Sequence, residues 1–339
     1  MAEIRRSPTK GTWSIIAEKR GDRPYHFDES QRQTEGGGAN PSEDCPLCEG
    51  REDRTPPEVF AIRNSGKPNQ SGWSVRVAPN KFPALDPEAT RSVIEGQLYT
   101  TLDAFGYHEV IVETPNHQLD FLDQTKAHRT LVLQTYKKRL KAVSESEGIK
   151  HVLIFRNYGD RAGASLTHPH SQLLAAPFLP TVPKLEYQHA LKYYEESGNC
   201  LYCDLLSKAQ EQGDRVLFST SDFLALTPFA PRFPYEIHLV SRIHSPAFDK
   251  SSENQLKRLA GSLHRALAML EEVLGGAAYN YVLHTAHQSS ISRWPKLDKS
   301  YHWHFEIFPR ITTPAGFEWG AGDSIVPISP ERARDHLRK

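Results

Sequence analysis

All four cysteines of this chain fall into two C-x-x-C pairs, Cys45-Pro-Leu-Cys48 and Cys200-Leu-Tyr-Cys203. Such a turn presents two thiolates at the separation a tetrahedral Zn2+ needs and leaves two ligands to be found elsewhere. Histidine is abundant, with 16 in the chain, and two triplets stand out: His168-Pro-His170-Ser-Gln172 and His302-Trp-His304-Phe-Glu306. A lone histidine precedes each, His117 and His244. The spacing nominates Cys45, Cys48, His117 and His168 for one site and Cys200, Cys203, His244 and His302 for another. Both sets are closed, which suits a structural metal better than a catalytic one. Iron overlaps with zinc for these ligands. At the second site His284, His287, His304 and Glu186 compete as ligands. The competing reading is a redox pair or two buried thiols. A redox pair sits at the start of a helix, whereas Cys45 follows a Gly/Asn/Pro/Ser stretch.

The first triplet carries the reactive chemistry. A strand alternates its faces, so His168, His170 and Gln172 share one side. With His168 on a metal, His170 and Gln172 face the adjoining cleft. A neutral imidazole attacks phosphorus directly when its other nitrogen donates to a carbonyl that fixes the tautomer. Gln172 donates an amide N–H to a phosphoryl oxygen without titrating, but it is a poor general acid. That favours a leaving group already stable as an anion, such as a sugar phosphate. The preceding Arg156-Asn-Tyr-Gly-Asp-Arg-Ala-Gly-Ala-Ser-Leu-Thr167 segment is rich in Gly, Asn and hydroxyls and can aim backbone N–H groups at phosphates. It is not a P-loop.

The elements that must position these groups repeat. Each part of the chain runs C-x-x-C, Phe-x-Ala-Leu (Phe82–Leu85, Phe223–Leu226), a lone His and His-x-His, with a helix before the last. This order predicts a tandem duplication whose halves, 1–187 and 188–339, meet near residues 185–198. Strands are expected at Glu109–Glu113, Val152–Phe155, Glu236–Val240 and Phe305–Phe308. The periodicity predicts a helix from Lys126 to about Glu147. A second, along the Leu256–Leu274 stripe, is capped by a Ser252/Gln255 box and ended by Gly275-Gly276. Residues 29–44 and 286–300 are expected to be mobile loops. Length alone, 339 residues, allows two domains with sizeable cores. Lys+Arg and Asp+Glu are both 41, which argues against a general nucleic-acid or membrane binder. The start of the chain carries no secretory signal pattern, and no apolar run reaches membrane-spanning length, so the expected compartment is the cytoplasm.

Taken together, these motifs resemble the galactose-1-phosphate uridylyltransferase family, a branch of the histidine-triad superfamily, over nearly the whole chain. Trp13-Ser-Ile-Ile-Ala-Glu-Lys-Arg20-Gly-Asp-Arg23-Pro24 resembles its N-terminal strand and arginine motif. Cys45-Pro-Leu-Cys48-Glu-Gly resembles its first zinc motif, and Asn80-Lys-Phe82-Pro-Ala-Leu its nucleotide-binding segment. Gly163-Ala-Ser165-Leu-Thr-His168-Pro-His170-Ser-Gln172 is similar to its active-site strand, and Gly316-Phe317-Glu318 to its sugar-binding segment. The resemblance implies an α+β fold of two tandem histidine-triad-like halves, with antiparallel sheets and flanking helices. It implies ping-pong chemistry, in which His170 takes a nucleotidyl group from a nucleotide sugar and passes it to a sugar 1-phosphate. Gln172 would steady the phosphoryl oxygens, and Ser165 and Asn157 would hold phosphates. Asn80 and Phe82 would bind the nucleotide, Arg20 and Arg23 would reach phosphate across a homodimer interface, and Phe317 and Glu318 would touch the hexose. Superfamily hydrolases carry a third histidine where Gln172 stands.

Two departures mark this chain. Ser171 replaces the usual glycine, and the second C-x-x-C pair with His244 and His302 resembles the plant ADP-glucose phosphorylase relatives. Many uridylyltransferases use a glutamate and three histidines there, and Glu186 stands where that glutamate would be. The leading expectation is UMP transfer from UDP-glucose to a hexose 1-phosphate. The alternative is an ADP-glucose phosphorylase using inorganic phosphate. A third, from another class, is a non-catalytic zinc-stapled nucleotide-binding protein. A nucleic-acid-binding finger is disfavoured, because its histidines lie close to the cysteines.

Overall fold

The computed structural model describes residues 3–16, 18 and 45–339. The Arg20 and Arg23 expected to touch phosphate, and the loop expected at 29–44, lie outside the described residues.

One antiparallel sheet of ten strands organises the chain. Five strands come from the first part: β3 (Phe60–Arg63), β4 (Trp73–Pro79), β7 (Tyr107–Val112), β8 (His151–Tyr158) and β9 (His170–Ala176). Five come from the second: β10 (Val216–Ser219), β11 (Phe223–Leu226), β12 (Ile237–Ser241), β13 (Tyr279–His284) and β14 (His304–Pro309). Their order across the sheet is β10-β11-β12-β14-β13-β8-β9-β7-β4-β3. It reads the same in both directions about the β8–β13 pair, where Phe155 faces Val282. A smaller sheet joins β1 (Glu3–Arg6), β2 (Trp13–Ile16) and β15 (Ser324–Val326), and a hairpin pairs β5 (Val93–Glu95) with β6 (Thr100–Leu102).

Alternation along each strand sorts the sheet into two faces. Ile111, Ile154, Leu173, Leu283, Phe305 and Leu239 point one way into a shared core. Two long helices cover that face, α1 (Lys126–Ser144) and α4 (Glu253–Leu274), packed against each other. The α4 stripe Leu256, Leu259, Leu263, Leu267 and Leu270 is buried, each leucine adding about 1.5–3 kcal/mol of burial. Ser252 caps α4 by accepting the Gln255 N–H, but the Gln255 side chain donates to Ser241 Oγ instead of closing a capping box. Gly275 ends α4 with φ +58°, the left-handed turn that a Cβ disfavours.

On the opposite face the second part is roofed by α2 (Thr181–Ser197) and α3 (Leu201–Gln212), with a core of Tyr187, Leu201, Tyr202, Leu206, Leu224 and Val240. Residues 286–300, expected as a mobile loop, instead form α5 (Gln288–Arg293) and α6 (Leu297–Ser300), because Leu297, Ser300 and Tyr301 are buried. The expected boundary at 187/188 falls inside the continuous helix α2. The sequence match of Phe82-Pro-Ala-Leu with Phe223-Leu-Ala-Leu does not survive as a structural match. Phe223–Leu226 is the buried strand β11, whereas Phe82 lies in a loop beyond β4 and is 82% exposed. Two further helices, α7 (Gly316–Ala321) and α8 (Pro330–Leu337), close the chain. Among the described residues, no helix is long and apolar enough to cross a membrane.

Candidate active site and metal centres

The first cysteine pair sits in a turn that packs on Trp73 and Val112. Cys48 Sγ lies 3.3 Å from His117 Nδ1 and 3.6 Å from His168 Nδ1, and Cys45 Sγ lies 3.8 Å from His168 Nδ1. A zinc tetrahedron with ordinary Zn–S and Zn–N bonds has S···N edges of about 3.6 Å. The donor atoms already stand at that spacing. His168 Nε2 donates to the Thr114 carbonyl at 2.8 Å, and His117 Nε2 meets Thr167 Oγ1 at 2.9 Å. The carbonyl contact leaves the His168 Nδ1 as the lone-pair nitrogen a metal requires, and the Thr167 hydroxyl can accept from His117 Nε2 in the same way. Burial pushes His168 down to about 4, so it is neutral at pH 7. Burial and the Cys45 neighbour push the Cys48 thiol up to about 11, a cost that a bound dication reverses.

The second cluster follows the same logic. Cys203 Sγ is 3.3 Å from His302 Nε2 and 3.6 Å from His244 Nδ1, and those two nitrogens are 2.9 Å apart. Their far nitrogens donate to carbonyls, His302 Nδ1 to Ser241 at 3.0 Å and His244 Nε2 to Asp298 at 2.8 Å. Cys200 caps α3, the helix-start position of a redox pair, but the two histidines against Cys203 favour a metal. The residues fit the ion at both places: four donors each, within 4.8 Å of one another.

The nucleophile candidate opens β9. His170 Nδ1 lies 2.7 Å from its own neighbour's carbonyl, His168 O, so Nδ1 carries the proton and Nε2 keeps a free lone pair. Burial lowers its pKa, which keeps it neutral and nucleophilic. Register puts Val110, Gln172 and Phe155 in one row on the face away from α1, the same face as His170. Ser171, between them, points the other way, into a buried network with Glu113 Oε1 and Tyr136 Oη. Tyr136 also meets Tyr281 Oη at 2.7 Å, and Arg156 lies 3.4 Å from Glu113. The serine that replaces glycine therefore does not touch the cleft.

Asn157 is drawn in by a residue the sequence reading missed. Asn280 Nδ2 donates to Asn157 Oδ1 at 2.9 Å and to the Ala162 carbonyl at 2.8 Å, pinning the loop before the triplet. The repeated Asn-Tyr of Asn157-Tyr158 and Asn280-Tyr281 was the available signal. That loop turns at Gly159, φ +81°, where a Cβ would come within 2.8 Å of Ala278 Cβ. Ser165 is exposed on it. Asn80 Oδ1 accepts the Phe82 N–H at 2.9 Å. His108, also missed, joins this segment to the triplet. Its Nδ1 accepts the Ala84 N–H at 3.1 Å, and its Nε2 lies 2.8 Å from Gln172 Oε1 and 3.2 Å from Asn80 Nδ2. Phe317 and Glu318 sit in α7 beside the small sheet. Glu318 accepts the backbone N–H groups of Ala315 at 2.9 Å and Ile325 at 3.2 Å.

A third cluster was only partly foreseen. Glu186, His284 and His304 converge beside Glu306. Lys10 reaches in from the N-terminal segment, 3.3 Å from Glu186 and paired with Glu306. Arg232 adds a contact to Glu306 at 2.7 Å. His284 lies 3.0 Å from Glu186 and 3.3 Å from Glu306. Burial alone would lower His284, but the two carboxylates overcome it and raise the ring to about 9. Burial alone would raise Glu186 and Glu306, but His284 and Lys10 hold both well below the carboxylate range.

Comparison with known proteins shows the family and the fold. The family described as galactose-1-phosphate uridyl transferase, N-terminal domain, matches residues 1–180. The ADP-glucose phosphorylase of Arabidopsis thaliana is 31% identical over 340 residues, covering 99% of this chain and 92% of the relative. The galactose-1-phosphate uridylyltransferase of Thermotoga maritima is 26% identical over 350 residues, covering 100% and 98%. The crystal structure of an Arabidopsis thaliana ADP-glucose phosphorylase with bound ADP-glucose matches with a TM-score of 0.83 at 29% identity, covering 100% of this chain and 99% of that one. A uridylyltransferase structure matches with a TM-score of 0.75 at 25% identity, covering 100% and 97%.

Proposed function

The chain belongs to the galactose-1-phosphate uridylyltransferase family, and from that premise we propose that it moves UMP from UDP-glucose to a hexose 1-phosphate through a nucleotidyl group held on His170. One observation carries the reading: the His170 Nδ1 proton is tied to the His168 carbonyl, which leaves Nε2 as a neutral nucleophile beside the amide of Gln172. The Nε2 lone pair attacks the α-phosphorus, and the bond to the sugar 1-phosphate oxygen breaks. The leaving group departs with that electron pair as a stable anion and needs no general acid. A second sugar 1-phosphate oxygen then attacks the phosphorus, and His170 leaves as a neutral imidazole. Gln172 donates to the phosphoryl oxygens in both steps. Ser165 and Asn157 hold phosphates, Asn80 and Phe82 take the nucleotide, and Phe317 with Glu318 meets the hexose.

The reading includes two tandem halves, 1–187 and 188–339, in a homodimer whose Arg20 and Arg23 reach phosphate in the partner's site. Its compartment is the cytoplasm, where the four thiols stay reduced. Zinc is held by Cys45, Cys48, His117 and His168, and by Cys200, Cys203, His244 and His302. Bound there, it cross-links distant segments and supplies no reacting group, so metal analysis of the purified chain is expected to find about two equivalents.

A second reading, an ADP-glucose phosphorylase with inorganic phosphate as acceptor, is favoured by the Cys200/Cys203/His244/His302 cluster and by the higher identity to the Arabidopsis relative. One panel separates the two. UDP-glucose and ADP-glucose, each labelled in the α-phosphate, are mixed with the protein, and acid-labile label on the chain is counted. Release from the adduct is then timed with galactose 1-phosphate and with phosphate. Label from UDP-glucose discharged by the hexose phosphate is expected. Label from ADP-glucose discharged by phosphate establishes the second reading, and no adduct with either sugar overturns both.

A further inference from the structure

We propose that His108 is a positioning residue that couples the nucleotide-binding segment to Gln172, through two different ring nitrogens with two separable effects. This rests on the nucleotidyl-transfer reading above. The Ala84 backbone N–H can only donate, so the His108 Nδ1 it meets at 3.1 Å must be the unprotonated nitrogen. A neutral ring then carries its proton on Nε2, which faces Gln172 Oε1 at 2.8 Å, and the Asn80 Nδ2 that stands 3.2 Å from the same nitrogen does not donate to it. That oxygen can only accept. The amide of Gln172 is thereby fixed with its carbonyl toward His108 and its NH2 free to turn toward the phosphoryl group.

The backbone completes the clamp. The His108 carbonyl accepts the Asn80 N–H at 2.8 Å, so the segment from Asn80 to Ala84 is tied to His108 at both ends. His108 stands on β7, on the same face as Val110 and thus on the same face as Gln172. Without the ring, no other side chain among the described residues chooses between the two amide orientations of Gln172, and the wrong one points a carbonyl oxygen at a phosphate oxygen. The donor that steadies the developing charge becomes a repulsive acceptor.

Two near-isosteres of histidine separate the nitrogens. His108→Asn keeps an acceptor near the Nδ1 position and loses the donor to Gln172. His108→Gln keeps a donor near the Nε2 position and loses the acceptor for Ala84. Single-turnover labelling of His170 by nucleotide sugar reads both constants, with sites counted by the burst amplitude so that unfolded protein does not enter. The asparagine variant is expected to slow labelling at saturation about 10- to 100-fold, with half-saturation within about threefold of wild type. The glutamine variant is expected to raise half-saturation about tenfold, with the saturating rate within about threefold. In a Gln172→Ala background, His108→Asn is expected to add less than about twofold, because its effect runs through the missing amide. If both variants shift the two constants alike, leave both unchanged, or multiply fully with Gln172→Ala, the coupling is overturned. Wild-type protein that takes no label with any nucleotide sugar overturns the underlying reading instead, and the two failures are thus distinct.

Discussion

Gln172 and Glu306 lie in one row of side chains across the sheet, with only Phe155 and Val282 between them. His170 and His304 begin their strands two residues earlier in each case, and each donates the same local bond, from Nδ1 to the carbonyl of the preceding cluster histidine. The surroundings then diverge. On the Gln172 side the row is neutral, flanked by Val110 and by the nucleotide-segment clamp. On the Glu306 side, α2 and α3 roof the face, and Lys10, Arg232, His238 and His284 lie against three buried carboxylates, Glu186, Glu236 and Glu306. A neutral amide beside an imidazole leaves room for an incoming phosphate. A carboxylate beside one repels phosphate and must be matched by cations from the protein itself. The comparison teaches that one change, amide to carboxylate, brings its own cations with it, and the cavity of about 310 Å³ beside them is lined by Lys10, Arg232, Glu236 and His238.

The sharpest way to break this comparison is to delete each imidazole. His170→Ala is expected to abolish labelling and cut turnover by at least about 10³-fold. His304→Gln is expected to leave turnover per folded chain within about threefold while lowering the melting temperature. Comparable losses of turnover in both would mean the two faces share the chemistry.

The charge balance around Glu306 is tested at Lys10. Lys10→Met removes an ammonium from Glu186 and Glu306 and is expected to cost roughly 3 kcal/mol in urea unfolding, the usual order for stranding a buried charge. A cost below about 1 kcal/mol would assign the neutralisation to Arg232, His238 and His284.

His284 supplies a pH signature. Its folded pKa, about 9, lies above the ordinary histidine value, so the folded state binds the extra proton. The stabilisation is fully present below pH ~6.5 and is lost as pH rises through about 9, a fall of about 3 kcal/mol. His284→Phe is expected to flatten that fall. An unchanged slope would place the titration elsewhere.

The smallest effect is expected at the departure from the family strand. Ser171 faces Glu113 and Tyr136, not the cleft. Ser171→Gly should keep turnover within about twofold and cost about 1 kcal/mol, from lost hydrogen bonds and added backbone freedom. A change in acceptor preference would instead give this serine a part in choosing substrates.

Local patterns carried most of this into the sequence. The C-x-x-C turns and the His-x-His spacing could be read because metal ligation and strand alternation are short-range constraints, and the cluster atoms lie where that reading expects them. The α4 stripe and the Ser252 cap were legible for the same reason. Lys10 was invisible, because it reaches Glu306 across 296 positions and nothing local marks it. His108 was hidden differently. It stands one residue before the strand expected at Glu109–Glu113, and its meaning depends on Ala84 and Gln172, which only the sheet brings to it. The Phe-x-Ala-Leu match misled because a short apolar string fits a buried strand or an exposed loop equally well, and burial decides between them.

The seam between β8 and β13 has a mechanical consequence. Five backbone partners, from Tyr158 with Tyr279 to Ile154 with Leu283, join the two five-strand sets edge to edge. A nick in α2 would leave each fragment with a raw, apolar strand margin, so separately expressed fragments should aggregate alone and reassemble when produced together. Intact protein should melt in a single cooperative transition, since neither set can loosen without unzipping the other.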